Sequence, residues 1–184
     1  MTLLKHAAQK LFKKYSLYWV YKLELGALPA IADSTIGVIE PESFDHAADD
    51  TIGALRSYAG SGAYGFGAYA EGVLVAVCWY FVGDRDSQRS TWPISEGEAK
   101  LAQITTAERY RGQGFAPRVI AFSAAAMQRR GYRTLYARIW HSNRPSIRAF
   151  EHAGWKRIAL VAEVTPAGTA KSWRLACRAW PRRS

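Results

Sequence analysis

The feature that most constrains this chain is a basic, glycine-containing turn between a predicted strand and a predicted helix. The turn follows a strand-like run, Ala99 to Thr106, and precedes a helical pattern, Pro117 to Arg130. Its sequence is Arg109-Tyr110-Arg111-Gly112-Gln113-Gly114-Phe115-Ala116. Glycines let the main chain approach a ligand, successive backbone N–H groups bind anions, and a helix N-terminus adds partial positive charge. The sequence therefore predicts a phosphate-binding turn within an α/β domain.

Length and composition indicate one domain, residues 1–184. A chain of 184 residues can bury a sizeable core, and 49% hydrophobic with 22% charged residues is ordinary for a globular protein. Lys and Arg outnumber Asp and Glu by 25 to 15. The resulting net charge of +10 favours an anionic ligand. Because the basic residues are spread out and no reader motif is present, nucleic-acid binding is not predicted.

The two cysteines, Cys78 and Cys177, both lie in apolar, strand-like runs. Neither has a paired metal-ligand spacing, so the sequence predicts buried free thiols and no metal site. No stretch of about 18 apolar residues predicts a membrane span, and the N-terminus lacks a secretory signal pattern. A cytoplasmic protein is expected.

The N-terminal segment has the pattern of a basic helix, taken as residues 1–16 of the domain. Apolar residues recur at helical spacing from Thr2 to Lys14, and lysines fill the other face. Such a helix could contact an anionic membrane or a partner. The favoured alternative is that its apolar stripe packs on the domain. A short basic tail, residues 181–184, ends the chain.

The remaining pattern alternates strands and helices. Strands are predicted over Leu17–Leu25, near Ile36–Ile39, and over Tyr64–Ala70, Val73–Val82, Thr134–Trp140, Trp155–Val164 and Ser172–Trp180. Further helices are predicted over Glu42–Ala59 and from Ser142 to His152. The polar stretch Gly83 to Gly97 is long enough to be a substrate-binding loop.

A second block, about 30 residues after the glycine turn, supports a family resemblance. It runs from Asn143-Arg144-Pro145-Ser146 through Phe150 to Gly154-Trp155. Together with Arg109-x-x-Gly112-x-Gly114, in this order and strand context, it resembles the GNAT family of acyl-CoA N-acyltransferases. The resemblance covers roughly residues 63–180, whereas the first 60 residues match only in coarse element order. It implies a mixed sheet of about six to seven strands, with helices on both faces and a splayed parallel strand pair.

The resemblance implies that the splayed pair holds coenzyme A, with acetyl-CoA or another acyl-CoA as donor. Ile104 and Thr106 would offer backbone groups to the pantetheine arm, and Thr105 between them is included in the binding segment. Asn143, Ser146 and Phe150 would lie near that arm or the thioester. The pyrophosphate would be bound by the turn residues Arg109, Arg111, Gly112, Gln113, Gly114, Phe115 and Ala116.

Acetyl transfer to an amine needs a base, and two catalytic candidates emerge. Glu98 lies fourteen residues before Gly112, a position that resembles the base glutamate of histone-acetylating family members. Glu96 is a neighbour that could substitute. His141 has a suitable intrinsic pKa and follows a predicted strand. Each of them could instead be an ordinary surface residue.

Phe150 departs from the family pattern. Many members have a tyrosine seven residues after the Asn, where it protonates the leaving thiolate, and a phenyl ring cannot do so. Ser146, Tyr136 or water could serve, or the thiolate could leave unassisted.

The leading hypothesis is direct acetyl transfer to a primary amine, because no cysteine stands near the expected thioester. A longer acyl-CoA or acyl-carrier donor is an alternative, and so is a non-catalytic acyl-CoA-binding or membrane-peripheral module. A small-molecule acceptor is favoured over a protein, and either a monomer or a homodimer is expected. The acceptor itself stays open.

Overall fold

The fold is built on one mixed sheet flanked by helices. The computed structural model describes residues 12–26, 31–87, 92–166 and 173–176. The strands are β1 (Phe12–Glu24), β2 (Ile36–Val38), β3 (Ala63–Ala70), β4 (Val73–Phe81), β5 (Glu98–Thr106), β6 (Thr134–Trp140), β7 (Lys156–Pro166) and β8 (Trp173–Ala176). The helices are α1 (Asp50–Gly53), α2 (Gly83–Ser87), α3 (Phe115–Arg129) and α4 (Arg144–His152). Single 3-10 turns span Pro41–His46, Ala54–Tyr58 and Glu108–Tyr110.

The sheet order is β2-β3-β4-β5-β6-β1-β7-β8. Among the described strands only β5 and β6 pair in parallel, and the other neighbours are antiparallel. The family resemblance implied about six to seven strands, whereas the strands predicted one by one from the sequence number eight, and the described sheet contains a strand at each of those eight places.

Apolar side chains cover both faces of the central strands. Cys78 and Tyr80 of β4 face a core formed with α3 and α4, which includes Val119 and Phe150. The alternate β4 residues, among them Trp79, pack beneath the first 3-10 turn and α1. This two-sided burial explains why β4 is almost wholly apolar in sequence. The predicted hairpin is confirmed, because β3 and β4 pair antiparallel.

The predicted basic helix is wrong where it can be compared with the structure. Residues 12–16 belong to β1, which pairs with β7 up to Pro166. Cross-strand pairing therefore overrides the helical spacing there. Residues 1–11, like the tail 181–184, lie outside the described residues.

The helix predicted over Glu42–Ala59 is also wrong as one element. The chain makes a 3-10 turn, then α1, then a second 3-10 turn. Between them the Ala48 N–H donates to the Leu74 carbonyl at 3.0 Å, which fastens the chain to β4. The Asp49 carboxylate accepts from the Ile52 N–H at 2.9 Å and starts a new helix.

Candidate active site

The parallel strands β5 and β6 separate halfway along their length. Their pairing runs from Glu98 opposite Thr134 to Leu101 opposite Ala137, although both strands continue beyond it. At this point β5 has an irregularity, because Tyr80 of β4 faces Leu101 while Trp79 faces Gln103. Ala102 is left as an extra residue, as in a β-bulge, which bends a strand and ends its pairing. The bulge therefore coincides with the start of the opening.

A cavity of about 580 Å³ lies in this opening. Its walls combine side chains from β5, β6, α4 and the segments before and after β4. They are Tyr58, Phe81, Asp86, Trp92, Lys100, Leu101, Ala102, Gln103, Ile104, Arg138, Ile139, Trp140, Asn143, Ser146 and Phe150. Backbone of both separated strands thus borders a space large enough for part of a small-molecule ligand.

The glycine turn lies just past the C-terminal end of β5. Gly112 and Gly114 have φ of 77° and 82°, a region that favours glycine, and the space around each is open. Residues 111–114 are all exposed. Gly114 is the N-cap of α3 and brings no side chain to the first N–H groups of that helix. The backbone of residues 112–114 is therefore accessible from solvent.

The side chains of the turn are held by local contacts. Arg111 Nε donates to the Thr106 carbonyl at 3.3 Å, and Gln113 Nε2 donates to the Arg109 carbonyl at 3.1 Å. Phe115 packs edge-on against Tyr110, with ring centroids 6.1 Å apart. Ala116, in the first turn of α3, is half-buried. Both arginines stay exposed, so a phosphate can reach them from solvent.

Of the three predicted β5 contacts, the side chain of Ile104 borders the cavity. Thr105 accepts a hydrogen bond from Gln103 Nε2 through its hydroxyl at 2.8 Å. Thr106 pairs with Ala76 of β4 and lies next to the glycine turn. The segment from Ile104 to Thr106 therefore connects the cavity with the turn.

The α4 residues Asn143, Ser146 and Phe150 all border the cavity. The Asn143 side-chain oxygen accepts from the Ser146 N–H at 3.2 Å, so it caps the helix. Phe150 is fully buried and its ring lies 5.0 Å from that of Trp155. Phe150 offers the cavity only an apolar surface.

The two catalytic candidates do not border the cavity. The Glu98 carboxylate, at the start of β5, accepts from the Tyr136 hydroxyl at 3.1 Å and from the Ser95 N–H at 2.8 Å. Burial, together with the adjacent Glu98 charge, raises the pKa of Tyr136, so this phenol stays protonated and donates to the carboxylate. His141 is exposed, with Nδ1 3.1 Å from the Leu17 carbonyl oxygen. Glu96 contributes its carbonyl to Arg133 at 3.4 Å.

The sequence analysis did not identify an ion pair that lines the cavity. Lys100 of β5 and Asp86 of α2 form a buried ion pair at 2.9 Å, and both line the cavity with Trp92 and Arg138. Lys100 could have been noticed in the sequence, because it is a charged residue within a predicted strand. Asp86 could not, because it lies among other polar residues.

These observations define an α/β protein whose mixed sheet contains one separated parallel strand pair, followed by a glycine turn and a helix N-terminus. The model of the Acetyltransferase (GNAT) family matches residues 15–155, so the chain belongs to that family. The family resemblance and the fold class expected from the sequence are confirmed.

Several solved structures share the fold. A protein assigned to the GNAT family from Novosphingobium aromaticivorans aligns with a TM-score of 0.62 and 19% identity, over 83% of this chain and 65% of that one. An acetyltransferase of the family from Colwellia psychrerythraea gives a TM-score of 0.58 and 17% identity, over 88% and 61%. AAC(6')-Iy, solved with a coenzyme A bisubstrate analogue, gives 0.51 and 17%, over 66% and 90%.

The chain spans 65% or less of the length of the first two of these structures. No curated protein matches its sequence. Within the described residues, no helix is both long and apolar enough to cross a membrane. Across residues 12–26, 31–87, 92–166 and 173–176, no cluster of three metal-ligating side chains occurs.

Proposed function

We propose that this protein transfers an acetyl group from acetyl-CoA directly to a primary amine, with both substrates bound together. The observation that carries the proposal is the order along β5: the cavity borders Leu101–Ile104, where β5 and β6 separate, and the exposed glycine turn follows the end of the same strand. Coenzyme A is long enough to need such a path, with a charged pyrophosphate at one place and a thioester at the other.

Donor binding divides between two chemistries. The N–H groups of residues 112–116 and the N-terminus of α3 suit the pyrophosphate, and the guanidinium groups of Arg109 and Arg111 add charge. The backbone N–H of Arg111 is already bonded to the Glu108 carbonyl at 3.2 Å. The pantetheine amides suit the backbone of β5 beyond Leu101, where the pairing with β6 has ended. Asn143 and Ser146 supply further polar groups that border the same cavity.

Proton removal from the acceptor ammonium is assigned to Glu98, acting through water. Its carboxylate is fixed by Tyr136 and Ser95 and lies on the strand that leads into the cavity. Because Glu98 does not border the cavity, direct contact with the amine is not part of the proposal. His141 is the second candidate, and its exposed position on the β6 side makes it a weaker one.

Thiolate release proceeds without the usual tyrosine. Among the donors considered from the sequence, Ser146 borders the cavity, whereas the Tyr136 hydroxyl is engaged with Glu98. Ser146 or a water is therefore the proposed proton source. The apolar wall formed by Phe150 also supports a second candidate function, in which the protein binds acyl-CoA with little turnover.

The test mixes the purified protein with acetyl-CoA and a panel of amines while free thiol is measured. The panel contains phenethylamine, butylamine, spermidine, glucosamine, kanamycin and an alanine-initiated peptide. Thiol release above background with at least one amine supports the transferase. Coenzyme A binding without release for any amine supports the binding module instead. Repeating the assay with butyryl-CoA and malonyl-CoA tests the range of donors.

Glu98→Gln is predicted to lower the rate with the best amine, and most strongly below the pKa of that amine. The glutamine has nearly the same shape and keeps one of the two acceptor oxygens, but it cannot take a proton. The measurement is the pH profile of kcat/KM, with Glu42→Gln, at an exposed carboxylate, as the matched control. An unchanged profile for Glu98→Gln would exclude Glu98 as the base.

A further inference from the structure

The buried ammonium of Lys100 makes contacts that reach beyond its own strand. Its Nζ donates to the Asp86 carboxylate at 2.9 Å and to the Trp92 carbonyl at 2.8 Å. The same atom lies 3.9 Å from the centroid of the Trp92 ring. The Lys100 side chain therefore contacts both Asp86 and Trp92, two residues of the stretch between β4 and β5.

These contacts are protected from solvent. The side chains of Lys100 and Asp86 are 9% and 4% exposed. Burial lowers the pKa of Lys100, while the charge of Asp86 and its hydrogen bond act in the opposite direction. A buried ion pair adds little net stability over an apolar pair of the same shape, but losing one partner is costly. Its presence here therefore calls for a reason other than stability alone.

The neighbouring contacts connect this cluster with the candidate base. The Trp92 ring packs edge-on against Tyr136, with centroids 6.3 Å apart, and the Tyr136 hydroxyl donates to Glu98. Glu98 in turn accepts from the Ser95 N–H, three residues after Trp92. The Trp92–Ser95 stretch is thus fixed at both ends, by Lys100 and by Glu98.

We propose that Lys100 is a positioning residue for the acceptor, because it holds Asp86 and Trp92 in place as one wall of the cavity. The wall borders the cavity at Lys100, where β5 still pairs with β6, whereas the donor is assigned to β5 beyond Leu101, so the amine is the substrate that meets the wall. Lys100 is neither the base nor an acyl acceptor, since its ammonium is committed to Asp86 and to the Trp92 carbonyl. This inference rests on the proposed transferase function.

The first test measures the wall without any substrate. The variant Lys100→Met combined with Asp86→Asn removes both charges, so that neither is left buried alone. Hydrogen–deuterium exchange is then followed in peptides covering residues 92–97 and 115–129. Faster exchange in 92–97, with 115–129 and coenzyme A affinity unchanged, is expected. Unchanged exchange in 92–97 overturns the proposal, and Lys156→Met is the matched control on an exposed strand lysine.

The second test uses the most active amine of the panel. The double variant is expected to raise the KM for that amine by roughly tenfold, with a smaller change in kcat and none in the KM for acetyl-CoA. A fall in kcat alone overturns the role in acceptor positioning. If no amine releases thiol, the transferase function fails, whereas the exchange measurement still decides whether Lys100 fastens the wall.

If the double variant does not fold, a single-residue variant provides an alternative test. Trp92→Leu removes the ring from the cavity wall but leaves the backbone carbonyl that Lys100 contacts. It is expected to raise the KM for the amine and to leave coenzyme A affinity unchanged. An unaltered KM for the amine would contradict the proposed wall.

Discussion

Arg111 and Lys100 show how differently two cations of the same short stretch can be placed. Arg111 is exposed in the glycine turn, where a phosphate could approach it from water. Lys100 is buried and bound to a carboxylate and a carbonyl. The net charge of +10 counts them equally. Their surroundings alone distinguish the two: Arg111 is proposed to bind the donor, and Lys100 is proposed to hold the wall that meets the acceptor.

Arg111→Ala is expected to weaken coenzyme A binding by about 1–3 kcal/mol, the usual contribution of a charge-assisted hydrogen bond. Isothermal titration calorimetry at low ionic strength measures the change. Arg129→Ala is the matched control, because that exposed arginine lies at the other end of α3, roughly 21 Å away at 1.5 Å per residue. Equal affinity for Arg111→Ala and the unmodified protein would remove the turn from the proposed site.

At the scale of elements, Asn143, the N-cap residue that precedes α4, has two roles. The Asn143 side chain caps the helix and also borders the cavity. The highly polar outer face of α4 contrasts with Ile147 and Phe150, which are buried against the sheet. A change at the cap therefore affects both the position of Ser146 and the stability of the helix.

Asn143→Ala is expected to lower the free energy of unfolding by about 1 kcal/mol, because the Ser146 N–H loses its acceptor. Asn143→Asp keeps an acceptor oxygen and should restore most of that stability. Urea unfolding followed by circular dichroism distinguishes the two variants. If both are equally destabilised, the cap contributes little and Asn143 matters only through the cavity.

Strand β3 contains glycines because its neighbour β4 carries large side chains. A Cβ on Gly65 would lie 2.6 Å from the Trp79 ring, whereas a Cβ on Gly37 of β2 would meet nothing within 4 Å. Gly65→Ala is therefore expected to destabilise the fold by about 1–3 kcal/mol, as overpacking does. Gly37→Ala is the control and should be nearly neutral. Thermal unfolding compares them, and equal midpoints would mean that the Trp79 ring moves aside freely.

At the scale of the whole molecule, one thiol and several phenols in buried or half-buried positions have raised pKa values. Burial raises the pKa of Cys78 from 9.0 to about 12, and the pKa of Tyr132 also rises to about 12. Burial likewise raises the pKa of three further tyrosines, Tyr21, Tyr80 and Tyr136. The folded protein keeps these protons while the unfolded chain releases them. Lys100, with a lowered pKa, acts in the opposite direction but is a single group.

Stability is therefore expected to be unaffected by these groups below about pH 9 and to fall as the pH rises from about 9 to 12. Thermal unfolding midpoints measured across that range test the sign. Cys78→Ala should flatten the first part of the decline, because the cysteine has the lowest ordinary pKa of the set. A midpoint that rises over the same range would contradict the assignment.

Local patterns were sufficient for the elements that bury an apolar face or end at glycine. The strand Thr134–Trp140 and the hairpin were predicted closely, and the helix after the glycine turn begins at Phe115 instead of Pro117. The segments predicted as helices over 2–14 and 42–59 failed where pairing with β7 and β4 competes with helical spacing. Helical spacing describes one segment only, whereas strand pairing depends on a distant partner.

The sequence by itself determined the glycine turn, the following helix and the family, because positive φ at Gly112 and Gly114 and a helix N-terminus are local properties. The tertiary structure decided where the cavity lies, since the bulge at Ala102 and the separation from β6 involve three strands at once. It also brought Lys100, Asp86 and Trp92 together. Long-range packing fixes such contacts, and no spacing along the chain encodes them.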